Sequence, residues 1–344
     1  MKKRALVAMS GGVDSSVCAY LALKKGYDCI GATMRLCEKD AFSSDAEDAA
    51  KVCEKLGIKH YVFDMTKEFR QLVIDSFVTA YEKGRTPNPC IDCNKNLKFG
   101  LLFQKARELG CDTIVTGHYA ITEKTENGYA LKKAKDLSKD QSYVLYVLSR
   151  DMLPDVYFPL GEITKQEARA IAEEMDFVTA RKSDSQDICF VPDGDYASVI
   201  SAYSGKTYPK GDFTDVNGNI LGEHQGIIRY TVGQRKGLGI AFGKPMYVKE
   251  KDVSKNRVVL ASNEELFSKE LKAENFNLLI PFDGKSIRAK AKIRYNQSEQ
   301  DAVVYFEDEK NVKIVFDEPQ RAIAKGQAVV VYDGDRVIGG GTIV

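Results

Sequence analysis

The segment Ser10-Gly11-Gly12-Val13-Asp14-Ser15-Ser16 constrains this chain more than any other stretch. It follows an apolar run from Ala5 to Met9 that reads as a buried parallel strand. It opens a segment whose Val17, Tyr20, Leu21 and Leu23 suit the buried side of a helix. A strand that turns through two glycines into a helix leaves free N–H groups at the helix N-terminus, at the carboxyl edge of a sheet. The glycines let a ligand approach the backbone, and Ser10, Ser15 and Ser16 offer hydroxyl donors, so the string is an anion cradle. Neither the Lys-bearing Walker A loop nor the G-x-G-x-x-G dinucleotide fingerprint occurs in the chain. An ordinary Gly-Gly turn would explain a lone SGG, but not the full string in this context.

Strand and helix continue to alternate after the loop. A second strand is expected from Cys29 to Met34. Ser44-Asp45-Ala46-Glu47 reads as a capping box opening a helix with Ala46, Ala49, Ala50, Cys53 and Leu56 on one stripe. A strand from His60 to Met65, a helix from Lys95 to Leu109, a strand from Thr113 to Thr116 and a helix capped by Thr164 and Glu167 complete the pattern. Such repeats predict an α/β domain, a parallel sheet with helices on both faces. Alternation then ends. Short β-like runs are expected at 226–232, 245–249 and 257–260, and from about Leu271 the chain is almost wholly strand-like, at 286–295, 302–306, 312–316, 328–332 and 337–344. A chain of 344 residues is long for one core. The predicted division is a catalytic domain over 1–200, a small β-rich central domain over 201–266 and a C-terminal β-barrel over 267–344.

Lys plus Arg number 50 against 49 Asp plus Glu, so any nucleic-acid surface must be local. No stretch approaches the ~20 apolar residues of a membrane helix, and the N-terminus lacks a signal-peptide pattern, so the expected compartment is the cytoplasm, without a membrane partner. Reduced thiols are expected there. Of eight cysteines, Cys18, Cys29, Cys53 and Cys111 lie in apolar periodic segments and read as core, and Cys37 is ambiguous. Cys90, Cys93 and Cys189 lie in polar, loop-like sequence. Pro87 and Pro89 stiffen the approach to Cys90-Ile91-Asp92-Cys93. Cys93 is predicted near a helix N-terminus, where the dipole and Lys95 favour a thiolate and Asp92 opposes it. A zinc half-site would need more ligands than one C-x-x-C and three His provide, and a redox pair would need the motif just after a strand. Both readings are weaker than a thiol-chemistry site.

The loop resembles that of the PP-loop enzymes, adenine nucleotide alpha hydrolase-like proteins that cleave ATP to AMP and pyrophosphate. With it stand GRTPNPCIDCNKNLKFG (84–100), TGHYA (116–120), KDQSYVLY (139–146), DSQDICF (184–190), GEHQGI (222–227), YTVGQRKGLGI (230–240), FDEPQRAIAKGQ (316–327) and GGGTI (339–343). In that order, across nearly the whole chain, they resemble the tRNA-specific 2-thiouridylases. The resemblance implies an ATP site at Ala8, Met9, Ser10, Gly11, Gly12, Val13, Asp14 and Ser15, with Met34 and Gly117 near the adenosine and Asp14 helping to place Mg²⁺. It implies adenylation of C2 of a wobble uridine, sulfur carried as a persulfide on Cys189 from a donor or relay protein, and Cys93 resolving it into a disulfide that must be reduced. It places the target base at Asn88, Pro89 and Cys90, and tRNA contacts at His118, Lys139, Asp140, Gln141, Arg294, Tyr295 and Gln327. The commonest family pattern has Asp where this chain has Cys90. Cys90, Cys93 and Cys189 could therefore hold a 4Fe–4S cluster with one iron open, an alternative route for the sulfur.

Beside this, Arg288, Lys290, Lys292 and Arg294 alternate along one predicted strand and share a face, against Ala289, Ala291, Ile293 and Tyr295. Such a row suits a phosphate backbone, or a solvated face balanced by acids on neighbouring strands. Residues 224–249 hold no Asp or Glu but five Lys or Arg, and Lys132, Lys133, Lys135 and Lys139 form a further basic group. The rivals are an amidating ligase of the same loop family and a non-enzymatic RNA-binding or metal-storage protein. Residues 200–344 contain no Cys and so no cysteine-dependent glutaminase.

Overall fold

The computed structural model describes residues 2–37, 41–183, 188–191, 194–240 and 243–344, without the side chains of 41–43. The first four residues of the DSQDICF string, 184–187, lie outside the described residues. The N-terminal region contributes β1 (Arg4–Ala8), β2 (Asp28–Arg35), β3 (Lys59–Asp64) and β4 (Thr113–Val115), a hairpin β5 (Ala120–Thr125) and β6 (Gly128–Lys133), and β7 (Val156–Tyr157). The hairpin was not foreseen. Strands β3-β2-β1-β4-β7 form one parallel sheet. Its two faces bury alternate residues of β1: Leu6 on one side, Ala5 and Val7 on the other. Strand order reverses beside β1, which opens a crevice between the carboxyl ends of β1 and β4.

Helices α1 (Val13–Lys24) and α2 (Ala41–Lys55) flank the sheet, and α3 (Lys165–Glu174) packs on α1. The capping box of α3 is present in both directions: the Thr164 N–H donates to the Glu167 carboxylate at 2.6 Å and the Glu167 N–H to Thr164 Oγ1 at 3.2 Å. The box expected at Ser44 does not start its helix, because α2 is already helical from Ala41. The helix expected from Lys95 begins earlier, at Pro89, whose fixed φ and missing N–H suit the first helical position. From Cys93 to Leu101 it widens into a π-helix before returning to α-helix over Leu102–Glu108.

The central domain is a four-stranded sheet of β8 (Gly211–Thr214), β9 (Ile220–His224), β10 (Tyr247–Asp252) and β11 (Arg257–Ala261), in the order β10-β11-β8-β9. Part of the run expected as strand at 226–232 is a short 3-10 turn, Ile227–Arg229. This domain shares a core with the helical layer: Phe213, Ile228 and Val248 pack with Phe69, Phe77 and Phe190.

The C-terminal strands β12 (Phe267–Leu278), β13 (Ser286–Lys292), β14 (Gln300–Phe306), β15 (Val312–Arg321), β16 (Ala328–Asp333) and β17 (Arg336–Ile343) close into a six-stranded barrel through the pairing of β12 with β17. The β5–β6 hairpin adds to the outside of β17. Val330, Tyr332 and Val337 join the core of the N-terminal domain, so the barrel is packed against that domain rather than tethered to it.

Candidate active site

The loop after β1 is closed by its own hydroxyls. Ser15 Oγ donates to the Gly12 carbonyl at 3.0 Å and Ser16 Oγ to the same oxygen at 2.9 Å. Ser16 is fully buried and also meets Thr179 Oγ1 at 2.9 Å, so it braces the loop instead of offering its hydroxyl to a ligand, contrary to expectation. The N–H of Ser10 donates to Ser15 Oγ at 3.2 Å. Gly11 has a φ of +72°, and a Cβ there would stand 2.1 Å from the Asp45 carbonyl oxygen of α2. Only glycine fits both conditions. Gly117, just past β4, packs on the loop, its virtual Cβ 3.2 Å from Asp14 Cβ. Ala8, Met9, Gly12 and Val13 lie in the same strand–turn–helix, and Met34 lies near the end of β2 alongside. The structure thus gathers the predicted nucleotide residues at the crevice.

Two lysines missed in the sequence reach this loop from afar. Lys165 Nζ donates to both carboxylate oxygens of Asp14, at 2.7 and 2.8 Å, and Tyr119 Oη donates to Oδ1 at 3.0 Å. Lys182 Nζ donates to the Gly11 carbonyl at 3.0 Å, to Asp45 at 2.6 Å and to Asp48 at 2.9 Å. The loop carries no Lys, and the fold brings cations to it instead.

The thiol centre is assembled from three segments. Asn88 is an N-cap whose Oδ1 accepts from the Cys90 N–H at 3.1 Å. The first helical turn therefore belongs to Cys90, and Cys93 lies one turn farther on, where the terminal dipole has weakened. Cys189 comes from a distant segment held by its neighbour Phe190, which packs edge-on against Phe69 and Phe77 at 5.8 and 5.3 Å. Cys90 and Cys189 reach solvent, and Cys93 is partly buried. Desolvation raises all three thiols, Cys189 to about 12. Cys93, Cys90 and Cys37 lie close enough to Cys189 for their charges to raise it further. At Cys93, where the helix terminus and Asp92 are expected to oppose each other, burial is the largest influence and raises the thiol, with Cys90 and Asp92 adding to it. The cation that opposes this at all three thiols is Lys98, while Lys95 acts on Asp92. Among the described residues, no three His, Cys, Asp or Glu side chains stand as a group that could hold a metal ion.

His118 is buried, with Nδ1 2.7 Å from Thr116 Oγ1 and Nε2 3.3 Å from Lys98 Nζ. Desolvation, then Lys98, holds its pKa well below the ordinary histidine value. A neutral ring accepting from Lys98 must carry its proton on Nδ1 and donate it to Thr116. Gly117 and His118 thus touch the two halves of the site in consecutive residues.

The remaining predicted residues line the junction with the barrel. The Asp140 carboxylate accepts from Ser142 Oγ at 2.7 Å and from the Ala134 N–H at 3.1 Å, and Gln141 Oε1 accepts from the Tyr119 N–H at 3.1 Å. Lys139 is half-buried beside them. Tyr295 Oη donates to the Asp140 carbonyl at 3.1 Å and lies near enough to Cys90 to feel its charge. Arg294 donates to the Ala322 carbonyl. Gln327 Nε2 donates to the Thr86 carbonyl at 2.8 Å, and the Thr86 N–H donates to the Lys325 carbonyl at 2.8 Å, which ties the loop carrying Asn88, Pro89 and Cys90 to the barrel. The basic row divides. Ala289, Ala291 and Ile293 do face inward, but Arg288 is paired with Asp317, and Lys292 lies over the rings of Tyr143 and Tyr295. Lys132 and Lys133 are likewise neutralised, by Glu123 and Asp335 and by Glu299.

Three family models match the chain in order. They are described as a tRNA methyl transferase HUP domain at residues 3–193, a tRNA methyl transferase PRC-barrel domain at 198–262 and an aminomethyltransferase beta-barrel domain at 268–343. The tRNA-specific 2-thiouridylase of Clostridioides difficile (strain 630) is 48% identical over 355 residues, covering 100% of this chain and 98% of the relative. That of Acetivibrio thermocellus is 49% identical over 356 residues, covering 99% of each. Among solved structures, the U34-tRNA thiolase NcsA from Methanococcus maripaludis is similar over 59% of this chain and 72% of its own, at 19% identity and a TM-score of 0.38, too slight a likeness to carry an argument.

Proposed function

The chain belongs to the tRNA-specific 2-thiouridylase family, and from that premise we propose that it converts the wobble uridine of tRNA to 2-thiouridine with ATP as activator. The observation that carries this reading is the junction at Gly117 and His118. One residue packs on the phosphate loop and the next hydrogen-bonds the lysine that serves the three thiols. A site that activates with one half and delivers sulfur with the other needs that adjacency.

In this reading the loop N–H groups and Ser10 hold the ATP phosphates, with Met34 and Gly117 beside the adenosine. Mg²⁺ would be held by Asp14 together with the phosphates, which matches its habit of using one or two carboxylates, and it would neutralise charge as pyrophosphate departs. Asp14 must then exchange Lys165 for that new partner, which frees the Lys165 ammonium for the phosphates. The C2 oxygen of the uridine, placed at Asn88, Pro89 and Cys90, takes the adenylyl group, so that AMP becomes its leaving group.

The terminal sulfur of a Cys189 persulfide then attacks C2 and AMP departs. The Cys93 thiolate attacks the Cys189 sulfur next. A Cys93–Cys189 disulfide forms, the S–S bond to the transferred sulfur breaks, and its electron pair stays with that sulfur on C2. The two cysteines have lost two electrons, so an external thiol reductant must reset them. A persulfide donor or relay protein reloads Cys189. The abundance of unpaired thiol chemistry suits the cytoplasm, and among the described residues no helix is long and apolar enough to cross a membrane. Lys139, Arg294 and Tyr295 face the incoming tRNA, while His118, Asp140, Gln141 and Gln327 act chiefly by fixing the walls around the base. The 4Fe–4S alternative on Cys90, Cys93 and Cys189 is not needed for any of these steps, and among the described residues these thiols are not part of a group that could hold a metal ion.

The test is substitution at each thiol. Cys93→Ala and Cys189→Ala should abolish 2-thiouridine in the tRNA, read by nucleoside mass spectrometry, while tRNA binding persists. Full thiolation by either variant would overturn the assignment.

A further inference from the structure

We propose that Lys98 is a positioning residue whose ammonium, oriented by a neutral His118, stabilises whichever of Cys90, Cys93 and Cys189 carries negative charge. The proposal rests on the sulfur-transfer reading and deepens it. In an α-helix, residues five apart project ~140° apart, so Cys93 and Lys98 would face different ways. The segment from Cys93 to Leu101 is a π-helix, whose wider turn closes from residue i to i+5 and brings such residues toward one line. Single π turns recur at functional sites for this kind of reason. Asn94 anchors the turn, its Nδ2 donating to the Val144 carbonyl at 3.0 Å from a fully buried position.

Among the described residues the ammonium is aimed by its hydrogen bond to His118 Nε2 at 3.3 Å, and an ammonium has further N–H groups to turn toward sulfur. His118 is fixed in turn by Thr116 Oγ1 at 2.7 Å and by the edge-on ring of Phe158 at 5.9 Å. Among the described residues, the charges that act on the centre are the thiols themselves, with Cys37 beside Cys189, Asp92 next to Cys93, and Lys98 against them all. The thiols raise one another, so a single cation supports one thiolate well and two poorly. Ionisation then passes from one sulfur to the next as the reaction proceeds. An uncompensated thiolate does not accumulate among these mutually raised thiols.

The test is the pH dependence of alkylation of each cysteine by iodoacetamide, followed by mass spectrometry in wild type, Lys98→Met and Lys98→Arg. Lys98→Met should slow alkylation of Cys93 and Cys189 at pH 8 by about threefold to tenfold, the size of half to one pH unit in the profile, and Lys98→Arg should restore most of it. If Lys98→Met does not fold, His118→Leu removes the acceptor and should shift the profile the same way, with His118→Gln restoring it. An unchanged profile in a folded Lys98→Met or His118→Leu protein overturns the proposal. The assay uses neither ATP nor tRNA. Failure of the functional reading would appear separately, as wild type that makes no 2-thiouridine while the alkylation shift persists.

Discussion

The phosphate loop works through its backbone, whereas the thiol centre a residue away works through side chains. The loop is one unbroken string whose conformation follows from a strand, two glycines and a helix start, and its serines close it onto Gly12. It is shaped before any ligand arrives. The thiol centre draws on residues 90–98, on Cys37 and on Cys189, joined by the packing of Phe190 into a shared core, and it rests protonated. A rigid anion cradle can be encoded locally, because backbone N–H groups need only the right turn. A reactive sulfur cluster depends on tertiary packing, because burial and shared charge set its reactivity. That division suits an enzyme that must keep sulfur quiet until the base is activated.

The comparison can be broken most forcefully at Gly11. Gly11→Ala puts a Cβ at a φ of +72° and 2.1 Å from the Asp45 carbonyl oxygen, so the loop or the start of α2 must move. ATP turnover should fall on the order of a hundredfold or more, as when positioned donors are lost, with thiol alkylation rates unchanged. Isothermal titration with a non-hydrolysable ATP analogue and alkylation mass spectrometry would read the two halves, and loss of both together would refute their independence. Lys165→Met is next. It leaves Asp14 without its bidentate partner and should lower AMP formation by roughly tenfold to a hundredfold while tRNA affinity holds. A steady-state AMP assay that finds no change would dismiss Lys165 from the nucleotide site.

Gln327 sharpens the other half. Gln327→Ala deletes the hydrogen bond to the Thr86 carbonyl and should lower kcat/KM for tRNA about threefold to thirtyfold, with the loss chiefly in kcat if Gln327 positions the loop and in KM if it grips the tRNA. Asp92 gives the smallest effect. Burial raises its carboxyl to about 6, so the folded state disfavours its ionised form. Stability is lost as pH rises from the unfolded value near 4 to about 6, and the cost is constant above that. Asp92→Asn should therefore gain about 1–3 kcal/mol in urea denaturation at pH 7 and nothing at pH 3.5. An equal gain at both pH values would discard the ionisation argument.

The loop, the parallel sheet and the barrel were legible because each rests on local pattern: Gly-Gly between strand and helix, alternating apolar runs, and Ala289, Ala291 and Ile293 turned inward. Cys93 and Cys189 stood out by their polar surroundings. Lys98 did not, since a helical reading at ordinary pitch turns it away from Cys93, and nothing in the local sequence announces a π turn. Lys165 was hidden in the first turn of α3, where a lysine reads as solvated, although the fold delivers it to Asp14. The β5–β6 hairpin was overlooked because it pairs only with itself and with the distant β17. Gln327 and His118 were legible only through the family resemblance, and their hydrogen bonds to Thr86 and Lys98 required the three-dimensional arrangement.

The central claim is that one half of the site activates a base and the other delivers sulfur to it. It is tested most directly by incubating the protein with Mg²⁺, ATP, a persulfide donor and unmodified tRNA, and counting AMP and 2-thiouridine in the same reaction. The account predicts equal amounts of both, with AMP formation dependent on tRNA. Sulfur in the tRNA without AMP, or AMP and no 2-thiouridine under a fully loaded donor, would contradict it.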